Sequence, residues 1–128
     1  MSGIRGVMGK KVLVVEDYAD SREFLKYLLE DYGCDVIEAS NGREAIEVVK
    51  EQAPDLVLMD VSMPVMDGLT AARRIREEKE FQTLPIIVLT ADTEGVRSRV
   101  IDAGCNGLLH KPLNFDELKP VLRHFLLA

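Results

Sequence analysis

The sequence predicts an α/β domain in which a parallel five-stranded sheet carries helices on both faces. Five short apolar runs alternate along the chain with five segments whose apolar residues recur every three or four positions. The spacing of the strands argues against antiparallel pairing between successive strands, and right-handed crossovers place helices on both faces of a parallel sheet. The composition agrees, because 47% apolar and 30% charged residues are ordinary for a globular protein.

The chain is predicted to form one domain over residues 11–128, preceded by a leader over residues 1–10. The leader carries three glycines and no apolar periodicity, so we expect it to be loose. The chain shows neither a run of membrane-span length nor a signal peptide, which predicts a cytoplasmic protein without a membrane partner. Cys34 and Cys105 have no Cys or His at ligand spacing, and we expect them to be reduced, although the sequence leaves a pairing open.

The charge pattern argues against one class of function. A net charge of −6 disfavours direct binding of nucleic acid, because phosphate binding needs clustered lysines and arginines. Arg73, Arg74 and Arg76 do cluster, but they lie on a predicted helix that also carries glutamates at positions 77, 78 and 80. We therefore interpret this helix face as solvated.

The first half of the chain supplies two strands and two helices. Val12 to Val15 forms the first strand, and residues 36–37 lie in a short second strand. Gly33 is expected to end the intervening helix as a C-cap, and Asn41–Gly42 turns the chain into the next helix. The apolar face of the first helix comprises Phe24, Leu25, Leu28, Leu29 and Tyr32. The second helix buries Ala45, Ile46 and Val49.

The third strand is central to the predicted sheet. Leu56 to Met59 is a wholly apolar run, too short for a helix, and suits a strand buried on both faces. This run ends at Asp60, and Pro64 and Asp67–Gly68 then mark a loop before the third helix. One carboxylate therefore stands at the carboxyl end of a buried strand, where open α/β sheets bind their ligands.

The second half of the chain continues the alternation. Ile86 to Leu89 forms a fourth strand that ends at Thr90, and residues 108–109 form a fifth that ends at His110–Lys111–Pro112. Gly104 is expected to terminate the helix between them. The inward residues of the third helix are predicted to be Leu69, Ala72 and Ile75, and the apolar residues that mark the fourth helix are Val96, Val100 and Ile101.

The last helix begins with a predicted cap and contains an unusual proline. Asn114 and Glu117 have the spacing of a capping pair. Pro120 lies several residues inside the helix, so we expect either a kink there or a regular part that starts later than the cap. The buried side is predicted to comprise Leu118, Val121, Leu122, Phe125 and Leu126.

Polar residues gather at one edge of the predicted sheet, because all parallel strands end on the same side. These residues are Glu16, Asp17, Asp60, Thr90 and Lys111. Two carboxylates about 4 Å apart repel by roughly 4 kcal/mol at an effective dielectric of about 20. The three carboxylates therefore need a divalent cation, a changed protonation state or Lys111, and oxygen ligands without His or Cys favour Mg²⁺ or Mn²⁺.

This combination of groups is typical of phosphoryl transfer. Asp60 can attack phosphorus, Thr90 can donate to a phosphoryl oxygen, and the metal and Lys111 can neutralise charge. Each residue alone has a plainer interpretation, as a charge at a helix start, a cap or a surface lysine. Their coincidence at the strand ends favours the functional interpretation.

The stretch from Lys11 to Leu127 resembles the receiver domain of two-component response regulators. The segments that carry the resemblance are VLVVEDY, DLVLMDVSMPVMDG, PIIVLTA and the final KP. The resemblance implies a flavodoxin-like (βα)₅ fold with strand order 2-1-3-4-5. It also implies a signalling module that catalyses only its own phosphorylation and dephosphorylation.

The resemblance implies roles for individual residues. Asp60 would be the phosphoacceptor, and Thr90 and Lys111 would contact the phosphoryl group. Lys111–Pro112 would be a cis peptide bond. The implied Mg²⁺ ligands are Glu16, Asp17, Asp60 and the backbone carbonyl of Ser62.

The implied partners are proteins. A sensor histidine kinase or phosphotransfer protein would supply the phosphoryl group, and a downstream protein would read the switched surface. A phosphorylation-dependent dimer through helix four, strand five and helix five is also implied.

The chain departs from the family pattern at one position. Leu108 occupies the place where the family usually has Tyr or Phe, so we expect only a modest rearrangement around it on phosphorylation. Ser62 and Asp92 occupy positions that tune the lifetime of the phosphoryl group, and neither residue type is diagnostic.

Three alternative functions remain at this point. A phosphatase of the haloacid dehalogenase type would need a second Asp two residues after the nucleophile, where Ser62 stands. A flavodoxin-like electron carrier would need a phosphate-binding loop rich in Ser and Thr after strand one, which EDYADS does not supply. A degenerate receiver that serves only as a docking surface is disfavoured by the intact set of polar residues.

Overall fold

Five parallel strands form one sheet in the order β2-β1-β3-β4-β5, as predicted. The computed structural model describes residues 6–91 and 95–127. The strands are β1 (Lys11–Val15), β2 (Asp35–Ala39), β3 (Leu56–Asp60), β4 (Ile86–Thr90) and β5 (Gly107–His110). The helices are α1 (Ala19–Asp31), α2 (Gly42–Gln52), α3 (Gly68–Glu77), α4 (Arg97–Asp102) and α5 (Phe115–Leu126), with a 3₁₀ turn at Lys79–Phe81.

The sheet divides the apolar core into two clusters. Every residue of β3 and β4 is buried, as expected for central strands covered on both faces. Alternate residues of β1 point to opposite sides, so Leu13 packs toward α2, α3 and α4, whereas Val14 packs toward α1 and α5. Neighbouring strands end almost level, because Val15 pairs with Met59 and Thr90 pairs with His110.

The predicted helix boundaries are confirmed by their caps. Gly33 follows α1 with a positive φ of 100°, the left-handed conformation that glycine adopts without a steric penalty. The side chains of Asn41 and Asn114 accept hydrogen bonds from the backbone N–H groups of Glu44 and Glu117. Each bond satisfies one of the N–H groups that a helix start leaves without an intrahelical partner.

One residue predicted to lie on an apolar helix face is exposed. Phe24 in α1 is 51% exposed. On a helical projection Phe24 lies at the margin of the stripe formed by the buried residues of α1, so its spacing overstated the width of that face. Ile101, one of the apolar residues that mark α4, is 70% exposed and lies more than 90° from the direction of the buried residues Val100 and Ala103.

Helix α5 runs continuously through Pro120 from its cap at Asn114. The alternative that its regular part starts later is therefore wrong. Because proline has no N–H group, the carbonyl of Asp116 loses its usual intrahelical donor. Pro120 is exposed, so water can reach this part of the helix surface.

Arg76 does not lie on a solvated face, contrary to the prediction. Its side chain is half-buried and donates hydrogen bonds to the carbonyl oxygens of Phe81 (2.6 Å) and Gly104 (2.9 Å) and to Oδ1 of Asn106 (2.9 Å). Asn106 Oδ1 also accepts the N–H of Ile86 at the start of β4. Arg76 thus ties the end of α3 to the turn between α4 and β5.

The described part of the predicted leader packs against the domain. Val7 is fully buried among residues of α1 and α5, and the N–H of Gly9 donates to the carbonyl of Gly33. Residues 1–5 lie outside the described residues, and the boundary between residues 10 and 11 stays a prediction. Cys34 and Cys105 are free thiols, as expected, and burial raises the pKa of each to about 11. Among the described helices, none combines the length and the apolar character that a membrane span requires.

Candidate functional site

The ends of β1 and β3 bring three carboxylates together, as predicted. Glu16 follows β1 directly, and Asp60 is the last residue of β3. One carboxylate oxygen from each of Glu16, Asp17 and Asp60 lies within 4.8 Å of the others. Glu16 and Asp60 are only 2% and 5% exposed, whereas Asp17 faces solvent.

Lys111 reaches this cluster from the end of β5. Its Nζ lies 3.0 Å from Asp60 Oδ2 and 2.9 Å from Glu16 Oε2. The Lys111–Pro112 peptide bond is cis, which confirms that expectation. Burial alone would lower the pKa of Lys111, but hydrogen bonding and charge from the two carboxylates outweigh it and raise the pKa above 10.5. Lys111 is therefore held in its charged form.

Glu16 is the most strongly confined carboxylate of the cluster. Burial raises the pKa of Glu16 above its ordinary value of 4.5, Asp60 raises it further, and Lys111 opposes the change. Glu16 Oε2 is buried, and Lys111 lies beside it at 2.9 Å without completing its hydrogen bonding. One lysine thus leaves the cluster incompletely satisfied.

The donor set fits a hard divalent cation. The three carboxylates, with oxygen atoms within 4.8 Å of one another, supply only oxygen, and Glu16 Oε2, whose hydrogen bonding is incomplete, would gain a partner there. The backbone N–H of Ser62 donates to Asp60 Oδ1 at 3.2 Å, so the chain turns back over the carboxylate just after β3. The assignment of the Ser62 carbonyl as a further ligand stays a prediction.

Thr90 lies at the same edge of the sheet, one strand away from Asp60. It ends β4, is 6% exposed, and accepts the backbone N–H of Lys111 on its carbonyl oxygen at 2.8 Å. Thr90 and Ser62 line one groove of about 550 Å³. Asp92, the other position predicted to tune the phosphoryl lifetime, lies outside the described residues.

Two supporting contacts could not be read from the sequence pattern. Arg22 donates from Nη1 to the carbonyl oxygen of Glu16 at 2.7 Å, which fixes the backbone where β1 ends. Gly68 packs so closely on the carbonyl of Asp60 that a Cβ atom would clash with it, and its N–H donates to Val61 at 2.9 Å. The Asp67–Gly68 pair signalled a turn in the sequence, but not this approach to Asp60.

A mostly apolar cavity opens beside Lys111, on the face of the sheet that carries α1 and α5. It has a volume of about 380 Å³ and includes the exposed ring of Phe24. Leu108, in place of the expected aromatic residue, is partly buried and packs on the opposite side, against the cluster under α2, α3 and α4. The other residues that line the cavity are Glu16, Ser21, Leu25, Leu89, Ala91, Lys111, Pro112 and Leu113.

The chain matches one known protein family over most of its length. The family described as response regulator receiver domain matches residues 12–123, most of the chain. The chain belongs to this family. Receiver domains are signalling modules of two-component systems and not classical enzymes, so the phosphatase and electron-carrier alternatives are set aside.

Individual receiver domains are similar over nearly the whole chain. The polar-differentiation response regulator DivK of Brucella anthropi is 30% identical over 120 residues, which cover 93% of this chain and 98% of DivK. The receiver domain of the sensor histidine kinase PA1611 from Pseudomonas aeruginosa, with a magnesium ion coordinated in its active-site cleft, is 33% identical with a TM-score of 0.87. That similarity covers 94% of this chain and 99% of the solved one.

A third relative was solved with a protein partner. The receiver domain of Ssk1 from Saccharomyces cerevisiae, crystallised with the histidine phosphotransfer protein Ypd1, is 27% identical with a TM-score of 0.87. It covers 94% of this chain and 91% of the solved chain. In the present chain, the cluster of Glu16, Asp17 and Asp60 fits the Mg²⁺ phosphoacceptor site of the receiver-domain family.

Proposed function

We propose that Asp60 accepts a phosphoryl group from a phosphohistidine donor. The observation that carries this proposal is the convergence of three carboxylates and Lys111 on one end of β3. Glu16, Asp17, Asp60 and the Ser62 carbonyl would hold Mg²⁺, for which Mn²⁺ can substitute. The bound ion would neutralise negative charge on the phosphoryl oxygens.

The residues of the chain have distinct roles in this reaction. An Asp60 oxygen forms the new O–P bond while the P–N bond of the donor breaks and leaves its electron pair on the imidazole nitrogen. Lys111, held in its charged form, offsets charge on the transferred group, and the Thr90 hydroxyl donates to one of its oxygens. Attack by water later releases inorganic phosphate and restores Asp60, so the chain catalyses only its own phosphorylation and dephosphorylation.

The proposed phosphoryl donor is a protein, either a sensor histidine kinase or a phosphotransfer protein. The apolar cavity beside Lys111 supports this, because it offers a recess for an apolar side chain next to the acceptor. The half-exposed ring of Phe24 lines the same recess and would contact the docked donor protein. The Ssk1 receiver domain forms a complex with a histidine phosphotransfer protein, which supports the same class of partner.

The proposed output is a change of protein-interaction surface in the cytoplasm. A downstream protein, or a second copy joined through α4, β5 and α5, would read the phosphorylated form. Direct binding of nucleic acid is not proposed, since the chain carries a net charge of −6.

Phosphorylation by a small donor tests the proposal. Incubation with acetyl phosphate and Mg²⁺ should add one phosphoryl group by mass spectrometry, and Asp60→Asn should lose it entirely. Asp67→Asn is the matched control, because Asp67 also follows β3 but its side chain caps α3, a role that Asn fulfils equally well. Persistent labelling of Asp60→Asn would show that another residue is the acceptor.

A further inference from the structure

A groove beside the candidate phosphoacceptor carries an arginine supplied by α4. Ser62 and Thr90 line this groove of about 550 Å³ near the end of β3, and Arg99 lines it from the helix. The Ser62 N–H is bonded to Asp60 Oδ1, so the groove begins next to the acceptor carboxylate.

Local contacts set the position of Arg99 beside the groove. Its carbonyl accepts the N–H of Ala103 at 2.9 Å, and Val100 beside it is buried. Arg76 links the turn after α4 to α3, because it donates to the Gly104 carbonyl and to Asn106 Oδ1, both at 2.9 Å. The helix therefore presents Arg99 to the groove, and a movement of α4 would be passed to these neighbours.

The charge of Arg99 is not used by the rest of the described chain. Its side chain is exposed and forms no ion pair with residues 6–91 or 95–127. Asp67 lines the same groove, but its two oxygens already accept the N–H (2.9 Å) and the hydroxyl (3.1 Å) of Thr70. A guanidinium with these neighbours can bind an anion that enters the groove.

We propose that Arg99 binds the phosphoryl group on Asp60 from the α4 side of the groove, so that phosphorylation draws the helix toward the site. This inference rests on the proposed function. A phosphoryl group offers several charged oxygens, and the planar guanidinium of arginine matches two of them at once. Lys111 already pairs with Asp60 and Glu16, so Arg99 would add a second side-chain cation, from the groove side.

The contact also supplies a route from the site to the surface. A phosphoryl group shifts a conformational balance only through contacts that differ between the two states. Leu108 has no ring to turn inward and no hydroxyl to expose. A new ion pair to Arg99 would instead act directly on α4, whose exposed residues include Ile101.

The test uses beryllofluoride with Mg²⁺ as a stable substitute for the phosphoryl group. Backbone amide shifts of Ser62 and Thr90 report its binding, and those of Val100 to Asp102 report the response of α4. Arg99→Gln is compared with Arg97→Gln, which removes the same charge from the same helix outside the lining of the groove. We expect about tenfold weaker binding for Arg99→Gln, because hydrogen bonds to charged groups are the strong ones.

Further readouts separate binding from a structural role. Arg99→Lys should recover part of the affinity for beryllofluoride. Added salt should reduce the difference in that affinity between Arg99→Gln and the unaltered chain. The amide shift changes of α4 should be lost in Arg99→Gln and kept in Arg97→Gln. If Arg99→Gln does not fold, Arg99→Lys decides the question: it should bind beryllofluoride more weakly than the unaltered chain, and equal binding would overturn the inference. Equal binding by Arg99→Gln and Arg97→Gln would overturn the inference and leave Asp60 as the acceptor. Failure of the unaltered chain to bind beryllofluoride at Asp60 would overturn the proposed function itself.

Discussion

The two edges of the sheet differ in how well their charged groups are paired. At the amino edge, Asp55 accepts the backbone N–H of Lys11 at 2.8 Å, and Lys11 Nζ donates to the Gln52 carbonyl at 2.7 Å. Arg76 at the same edge has an acceptor for each of its three nitrogens. At the carboxyl edge, three carboxylates lie around one lysine, and the hydrogen bonding of buried Glu16 Oε2 is incomplete.

The difference indicates that the amino edge stabilises the folded domain, whereas the carboxyl edge destabilises it. Matched donors and acceptors at the amino edge hold distant segments together. Excess negative charge at the carboxyl edge opposes folding, but its carboxylate oxygens fit a divalent cation. Substitutions at the two edges should therefore change stability in opposite directions.

The largest expected effect is at the amino edge. Arg76→Ala removes three hydrogen bonds from a half-buried charged group, so the free energy of unfolding should fall by about 2–3 kcal/mol. Urea denaturation measures this change, with Arg73→Ala as the control, because Arg73 is an exposed arginine of the same helix. Equal losses in the two variants would show that the contacts of Arg76 add little.

Magnesium should produce the next largest effect, at the carboxyl edge. At ten times its dissociation constant, a bound ion stabilises the native state by about 1.4 kcal/mol, which raises the melting temperature by about 5 °C in a domain of this size. Asp17→Asn removes a predicted ligand, and it should abolish both this shift and phosphorylation. Without magnesium the variant should melt at or slightly above the temperature of the unaltered chain, since one repelling charge is gone.

A melting temperature indifferent to magnesium would contradict the site. Calcium-free buffer and a parallel run with chelator control for other divalent ions. The Arg76→Ala variant should keep the full magnesium shift, because the two edges act independently.

The smallest effect concerns pH. Because the pKa of Glu16 is raised in the folded state, folding favours its protonated form, and stability falls as pH rises through the folded-state pKa. Glu16→Gln should therefore be more stable than the unaltered, magnesium-free chain at pH 7. This advantage should shrink as pH falls toward 4.5, the ordinary value of the glutamate.

Urea denaturation across this pH range measures the difference in the free energy of unfolding between Glu16→Gln and the unaltered chain. Glu47→Gln, at an exposed glutamate of α2, is the control and should show no such difference. If this difference were the same at all pH values, Glu16 would destabilise the folded chain through something other than its charge.

The sequence was sufficient for the strands and for the residues at their ends. Wholly apolar runs such as Leu56 to Met59 leave few choices, and in a parallel sheet the next polar residue must lie at the shared edge. The burial of Glu16 beside an exposed Asp17 was not predictable, because both follow the same strand and only the packed structure distinguishes them.

The errors came from the margin of a helix face and from distant partners. Phe24 was assigned to the apolar face of α1 by its spacing, although it lies at the margin of that face and is exposed. Arg76 was interpreted from its sequence neighbours, whereas its acceptors Gly104 and Asn106 lie 28 and 30 residues away. A side chain that bonds across the fold leaves no periodic signal.

The strand order has a consequence for synthesis on the ribosome. All three carboxylates of the cluster have been made by residue 60, but Lys111 follows 51 residues later, roughly 3 to 10 s at 5–20 residues per second. During that interval any pairing of β1 with β3 brings the carboxylates together before their lysine exists. The nascent chain therefore gains from delaying that pairing, or from a cation in the surrounding fluid, until β5 emerges to complete the edge.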